Sequence, residues 1–228
     1  MSRFLKKIKT KFSLLVSLVK NDPFLAEEAI KGGADSIKVH LNVKHRASKT
    51  LFKTWKEEKK NIKRIIDISD IPVGIVPGAE KVADPDEMID MRKLGIDFWD
   101  IFSHHLPLYL FEVEKMGKMS AIDYRFNLDH LPFLEKQGIQ IFETSIIEPA
   151  EYGQALTSAD IARYGYLLSK INIPAIVPTQ RKIQPEEVRY LKNIGFSGIG
   201  IGAVVTGKNR SDLRKIVSLY RDSIDRIS

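Results

Sequence analysis

Eight apolar, strand-like runs alternate with helical segments along this 228-residue chain, and that alternation predicts a (β/α)8 TIM barrel. A second observation supports it: four helical segments end in a glycine that leads directly into the next run, as helix-capping glycines do. These four steps are Gly33-Ala34-Asp35, Gly95-Ile96-Asp97, Gly138-Ile139-Gln140 and Gly195-Phe196-Ser197. No linker-like stretch divides the chain, so we predict one barrel domain over residues 1–228 and regard an open, doubly wound sheet as the rival fold.

The predicted elements follow one another in regular order. Strands are expected at residues 14–19, 36–41, 73–76, 98–102, 119–123, 140–145, 173–178 and 199–205. Helices are expected at about 23–31, 50–64, 85–95, 107–116, 128–136, 159–170, 185–195 and 211–227, with a short basic amphipathic helix over 4–11 before the first strand. No segment is long and apolar enough to span a membrane.

Composition narrows the class of protein. The chain is 43% hydrophobic, which at this length allows one sizeable core. Its net charge of +7 comes from basic residues scattered among acidic ones, which indicates a solvated surface and argues against a nucleic-acid partner. The absence of cysteine excludes thiolate chemistry and is consistent with a reducing compartment, so we expect a cytoplasmic protein.

The second predicted strand carries ionisable residues on one face. In S-I-K-V-H-L, Lys38 and His40 alternate with apolar neighbours, so one set should face the barrel interior and the other the helices. A lysine inside a barrel is costly unless it is paired or meets a ligand. We therefore predict that Lys38 is a catalytic or binding residue with His40 orienting the ligand; a purely structural lysine–carboxylate pair is the alternative.

Two carboxylates stand near the ends of later strands. Asp123 follows the apolar run of the fifth strand, and Glu143 lies within the sixth. Both are candidates for general acid–base catalysis, because barrel enzymes place such groups at the carboxyl ends of their strands. Glu143 is either a structural partner that keeps Lys38 charged or a proton-transfer group. The neighbouring His104 and His105 lack the spacing of metal ligands, so we predict no metal and no cofactor.

The last quarter of the chain is expected to hold an anion. A glycine-bearing strand followed by a helix offers free N–H groups to phosphate. The predicted phosphate ligands are Arg181 after the seventh strand and four residues at the end of the eighth: Gly202, Ala203, Thr206 and Gly207. Tight helix–strand packing without a ligand is the alternative.

The sequence allows two interpretations for each of two loops. The loop over residues 146–158 is either a lid over the barrel or an unattached surface loop, since long loops in compact domains are often functional. The basic run Lys44, His45, Arg46 after the second strand either grips an anion or is plain surface charge.

Several stretches resemble one known family. L-L-V-S-L at 14–18, S-I-K-V-H at 36–40, I-P-V-G-I-V at 71–76, A-I-D at 121–123 and the final third resemble N-acetylmannosamine-6-phosphate 2-epimerase, within the ribulose-phosphate-binding barrels. The resemblance covers nearly the whole chain at low identity. It implies that Gly202, Ala203 and Arg181 bind phosphate, that Lys38 binds substrate, and that Asp123 matches an aspartate at the end of the fifth strand.

The chain departs from that family at two catalytic positions. Pro77 stands where the epimerases carry a proton-transferring lysine, and Pro178-Thr179 replaces a glutamate. We therefore expect a protein that binds a small phosphorylated metabolite, such as a sugar phosphate, or inorganic phosphate. If it is an enzyme, we expect an isomerase or lyase that works by proton transfer; the alternative is a non-catalytic binding or regulatory barrel. A homodimer is left open.

Overall fold

A computed structural model describes residues 1–207 and 210–227, and in it eight parallel strands close into a barrel. Each strand pairs with the next along the chain, and β8 pairs with β1. The strands are β1 (Ser13–Ser17), β2 (Ser36–His40), β3 (Val73–Val76), β4 (Phe98–Phe102), β5 (Gly117–Asp123), β6 (Ile141–Ser145), β7 (Ala175–Pro178) and β8 (Gly198–Ile201). The predicted fold class is confirmed.

The helices surround this barrel. They are α1 (Arg3–Ile8), α2 (Pro23–Lys31), α3 (Trp55–Asp67), α4 (Pro85–Leu94), α5 (Leu131–Lys136), α6 (Ser158–Leu168), α7 (Val188–Asn193), α8 (Ala203–Thr206) and α9 (Leu213–Asp225). At all four predicted glycine steps the glycine has φ between 93° and 116°, a left-handed conformation that favours glycine. No helix in the described part of the chain is long and apolar enough to cross a membrane.

Several boundaries differ from the prediction, and three of these differences change how a segment is used. The segment 107–116 forms a 3-10 turn at Leu108–Glu112 instead of a helix, and β5 begins directly after the segment, two residues earlier than expected. Helix α3 begins at Trp55 and not at residue 50, because Leu51 pairs with Lys44 in an antiparallel bridge. Strand β8 ends at Ile201, four residues earlier than predicted. Val204 and Val205 are β-branched and favour a strand, yet they lie in the single turn of α8.

The amino-terminal end of the barrel interior is apolar and closed. Alternate residues of the strands point inward there, and helix α1 covers them. The buried cluster consists of Leu15, Phe98, Met119, Ile141 and Ile176 from the strands with Phe4, Leu5 and Ile8 from α1. The carboxylate of Asp97 accepts hydrogen bonds from the first N–H groups of α1, at 2.7 Å from Arg3 and 2.8 Å from Phe4. A negative charge at a helix amino terminus is favourable, and it holds this plug in place.

Candidate functional site

A cluster of ionisable residues fills the barrel interior toward the carboxyl ends of the strands. The ammonium group of Lys38 contacts Asp100 Oδ2 and Glu143 Oε2. The three residues come from β2, β4 and β6, and alternate strands supply the same layer of side chains in such barrels. Lys38 is 4% exposed and Asp100 is 1% exposed, so this cluster lies away from bulk water.

The protonation of this cluster follows from its burial and its charges. Burial alone lowers the pKa of Lys38, but the charges of Asp100 and Glu143 outweigh it and raise that pKa above its ordinary value. Burial also opposes ionisation of Glu143, yet the charge of Lys38 lowers the pKa of Glu143 to about 2. Burial, followed by the charge of Glu143, raises the pKa of Asp100 well above its ordinary value. Lys38 and Glu143 are therefore held in their charged forms, while the surroundings of Asp100 oppose its ionisation.

Asp100 is a member of this cluster that the sequence analysis did not select as a site residue. The strand F-W-D-I-F holds one signal: Asp100 shares a face with Phe98 and Phe102, so it is a carboxylate inside an otherwise apolar alternation. The structure places this face inside the barrel, where Asp100 meets Lys38. Its Oδ1 atom has no hydrogen-bond partner among the described residues.

His40 lies beside this cluster, and the structure holds it rigidly. It is 3% exposed, and Asn21 clamps its backbone on both sides, donating to His40 O at 2.7 Å and accepting from His40 N at 3.1 Å. Its Nε2 lies 3.3 Å from the hydroxyl of Ser17, while its Nδ1 has no partner in the described chain. Burial, and then the charges of His45 and Lys38, lower the pKa of His40 well below its ordinary value, so the ring is neutral.

Asp123 does not join the buried cluster. At the end of β5, its Oδ2 accepts from Arg125 Nε at 2.9 Å and Nη2 at 2.7 Å. The ring of His104 lies 3.8 Å away. The structure thus brings Lys38, Glu143 and His40 together and leaves Asp123 in a separate ion pair at the rim.

The end of β8 has an open backbone next to β1. The amide of Gly202 donates to Thr179 Oγ1 at 3.0 Å, so Thr179 orients this turn. Ala203 and Val204 are the first residues of α8, and their N–H groups have no acceptor within the helix. Thr206 and Gly207 are turned toward β1, where they line a cavity of about 10 Å³ together with Ser17. A cavity of this size holds about one water molecule.

Arg181 has a different environment from the one predicted. It is 5% exposed, and its guanidinium donates to Asp160 Oδ1 at 3.0 Å, Glu151 Oε2 at 3.1 Å and Gln154 Oε1 at 3.3 Å. Burial would raise the pKa of Asp160, but the hydrogen bond from Arg181 lowers it. These bonds fix Arg181 as an anchor of the 146–158 segment, and its contact with phosphate stays a prediction.

The 146–158 segment is attached to the barrel. Gln180 accepts from the amide of Ile147 at 3.0 Å and donates to Ser145 O at 3.1 Å and to the hydroxyl of Tyr152. Ile146 and Ile147 are buried, so an unattached surface loop is excluded. No group of three or more histidine, cysteine, aspartate or glutamate side chains that could hold a metal ion occurs among the residues the structure describes.

Fold and site together define an eight-stranded α/β barrel with a buried ionisable cluster near the carboxyl ends of its strands. No protein-family model and no curated protein matches the chain. Solved structures do match. Thiamine phosphate pyrophosphorylase from Pyrococcus furiosus is 13% identical with a TM-score of 0.64, covering 95% of this chain and 96% of its own.

Two further solved structures are similar. (S)-3-O-geranylgeranylglyceryl phosphate synthase from Thermoplasma acidophilum, in complex with sn-glycerol-1-phosphate, is 14% identical over 99% of both chains, with a TM-score of 0.65. N-acetylmannosamine-6-phosphate 2-epimerase from Clostridium perfringens is 17% identical over 96% of both chains, with a TM-score of 0.62. At these identities the likeness shows a shared fold.

Proposed function

We propose that this barrel binds a small phosphorylated ligand at the carboxyl end of its strands. The observation that carries the proposal is the division of the barrel interior into an apolar amino-terminal end and a polar carboxyl-terminal end. Buried polar groups without full partners are costly, and here Asp100 Oδ1 and His40 Nδ1 are both unpaired among the described residues. A ligand in this region supplies the missing partners, and barrels of this kind have their sites at this end.

The phosphate is assigned to the end of β8. The amides of Ala203 and Val204 are unpaired within α8, and Gly202 offers a backbone with no side chain in front of it. Thr206 and Gly207 complete this turn. The three similar structures described above are all named for phosphorylated compounds, which supports the same ligand class here.

Proton transfer, if the protein is an enzyme, is assigned to the buried cluster. The surroundings of Asp100 oppose its ionisation, so Asp100 would act as the general acid, while Lys38 and His40 orient the ligand. Such chemistry would be that of an isomerase or lyase on a sugar phosphate. Asp123, held by Arg125 at the rim, is then a candidate for binding a ligand hydroxyl.

A second candidate is a binding or regulatory barrel without catalysis. The pKa of Glu143, about 2, makes it a poor base near neutral pH. Pro77 and Thr179 occupy the two positions at which the epimerases that this sequence resembles carry proton-transfer groups. These observations favour binding over the epimerase reaction.

The test measures thermal unfolding with inorganic phosphate and with sn-glycerol 1-phosphate. A ligand of the native state raises the unfolding midpoint. Ala203→Pro removes one proposed phosphate donor, and proline is well tolerated at the first position of a helix. We expect roughly tenfold weaker phosphate binding in this variant, because a hydrogen bond to a charged group contributes about 1.5–3 kcal/mol.

Ser158→Pro is the matched control, since it places proline at the first position of α6. It should bind phosphate like the unchanged protein. If neither compound raises the midpoint of the unchanged protein, the proposed function is wrong. If Ala203→Pro and the unchanged protein bind equally well, the phosphate is not at β8.

A further inference from the structure

Ser17, the last residue of β1, lies between the end of β8 and the ionisable residues of β2. The four residues before it in the strand are buried, whereas Ser17 is partly exposed. β1 pairs with β2 on one side, where Ser17 is opposite Lys38, and with β8 on the other. Ser17 shares a face with Leu15, which belongs to the buried cluster inside the barrel. The side chain of Ser17 therefore faces the barrel interior at its carboxyl-terminal end.

On the β8 side, Ser17 approaches the turn to which the phosphate is assigned. A Cβ atom placed on Gly202 would lie 3.6 Å from the Cβ atom of Ser17, which is ordinary van der Waals contact. Thr206 and Gly207 line the same small cavity as Ser17. Because glycine carries no side chain, a ligand atom can approach the backbone of this turn beside the Ser17 hydroxyl.

On the β2 side, the hydroxyl of Ser17 meets the ring of His40. Its Oγ atom lies 3.3 Å from Nε2 of His40, the one hydrogen-bond partner of this hydroxyl among the described residues. Asn21 bonds to the backbone of His40 on both sides, and the ring of Phe52 packs on the His40 ring with centroids 4.7 Å apart. These contacts hold the ring beside Ser17.

The contact between Ser17 and His40 allows two arrangements of protons. The ring of His40 is neutral because burial, followed by the charges of His45 and Lys38, lowers its pKa. A neutral imidazole has one N–H and one acceptor nitrogen, and a hydroxyl can donate or accept. Either Ser17 donates to Nε2 and the proton of the ring is on Nδ1, or Nε2–H donates to Ser17. Nδ1 has no partner in the described chain, so it does not select between the two.

An anion on the β8 turn selects one of these arrangements. An ionised phosphate oxygen accepts hydrogen bonds, and bonds to a charged acceptor are the stronger ones, so a hydroxyl beside it donates its proton there. Ser17 can then only accept from the histidine ring. The proton of the ring is thereby fixed on Nε2, and Nδ1 of His40 becomes a hydrogen-bond acceptor.

We propose that Ser17 is a phosphate ligand that couples phosphate binding to the tautomer of His40. This inference rests on the proposed function, since it requires phosphate on the amides of Ala203 and Val204. With phosphate bound, Ser17 donates to a phosphate oxygen and accepts from Nε2–H of His40. The free Nδ1 atom then accepts a hydrogen bond from a hydroxyl group of the ligand.

The experiment records the ¹⁵N NMR shifts of the histidine rings of the full chain with and without inorganic phosphate. These shifts show which ring nitrogen carries the proton, and the signals of His40 are identified by their loss in His40→Gln. We expect phosphate to move His40 toward the Nε2–H form in the unchanged protein. Ser17→Ala should bind phosphate roughly tenfold more weakly, because it loses one hydrogen bond to a charged group. Saturating phosphate should leave its His40 tautomer unchanged.

Ser13→Ala is the matched control, since Ser13 is the serine at the other end of β1 and its hydroxyl donates to Lys11 O at 3.2 Å. It should keep both the phosphate affinity and the tautomer change. If phosphate binds the unchanged protein without moving its His40 tautomer, or if Ser17→Ala responds as Ser13→Ala does, the role of Ser17 is wrong while the proposed function stands. If phosphate does not bind the unchanged protein, the proposed function fails, and this inference fails with it.

Discussion

The two ends of the barrel interior are built from the same strands but from different chemistry. At the amino-terminal end, the ring of Phe4 from α1 stacks on the ring of Phe98 from β4, with centroids 4.8 Å apart. At the carboxyl-terminal end, Lys38 lies between Asp100 and Glu143. The first end contributes free energy through burial of apolar surface. The second end carries a cost in desolvation free energy, because its ionisable groups are buried away from water.

The apolar end should respond most strongly to truncation. Phe98→Ala removes a fully buried ring and leaves a cavity, and we expect a loss of about 3–5 kcal/mol in the free energy of unfolding. Denaturant titration measures this loss. Leu108→Ala is the control: that side chain is 76% exposed, so its truncation should change stability by about 0.5 kcal/mol or less. A loss below about 1 kcal/mol for Phe98→Ala would show that the plug is loosely packed.

The polar end should respond to the removal of its cation. Lys38→Met leaves the buried Glu143 carboxylate without its partner, and we expect a loss of about 3 kcal/mol. Adding Glu143→Gln removes the uncompensated charge, so the double variant should be more stable than Lys38→Met alone. Chemical denaturation of both single variants and the double variant gives the interaction energy. Simple additivity of the two substitutions would contradict the ion pair.

The polar end should also be sensitive to acid. Burial, followed by the charge of Lys38, lowers the pKa of His45 from 6.5 to about 4. The unfolded state binds the proton first, so stability is fully present above the ordinary pKa and is lost as the pH falls toward the folded value. His45 then contributes a loss of about 2 kcal/mol between about pH 7 and about pH 4.5.

His45→Gln removes this titration, and its stability should therefore fall less steeply with acid than that of the unchanged protein. His40, whose pKa is also lowered, keeps its own share of the loss in both proteins. Urea unfolding at a series of pH values checks the difference. Parallel pH profiles for the two proteins would show that the His45 ring is exposed to water in the folded state.

Local patterns in the sequence were sufficient for the barrel itself. The period-two alternation in β2 places Lys38 and His40 on one face, and glycines with positive φ close four helices before the next strand. Both signals depend on neighbouring residues alone. The same dependence on neighbours explains an error: Val204 and Val205 have strand propensity, but their conformation follows from the turn at Gly202, which is bonded to Thr179 after β7.

The composition of the site depended on contacts between distant parts of the chain. The order of residues alone predicted a barrel, and it offered Lys38 as an interior residue and Glu143 as one candidate partner, because alternation along a strand puts every second side chain on the same face. Only the closed structure brought Asp100 to the same lysine from 62 positions away, turned Arg181 toward Asp160, and brought Gln180 to the hydroxyl of Tyr152. These pairings require the strands to close, since charges attract according to distance in space and not along the chain.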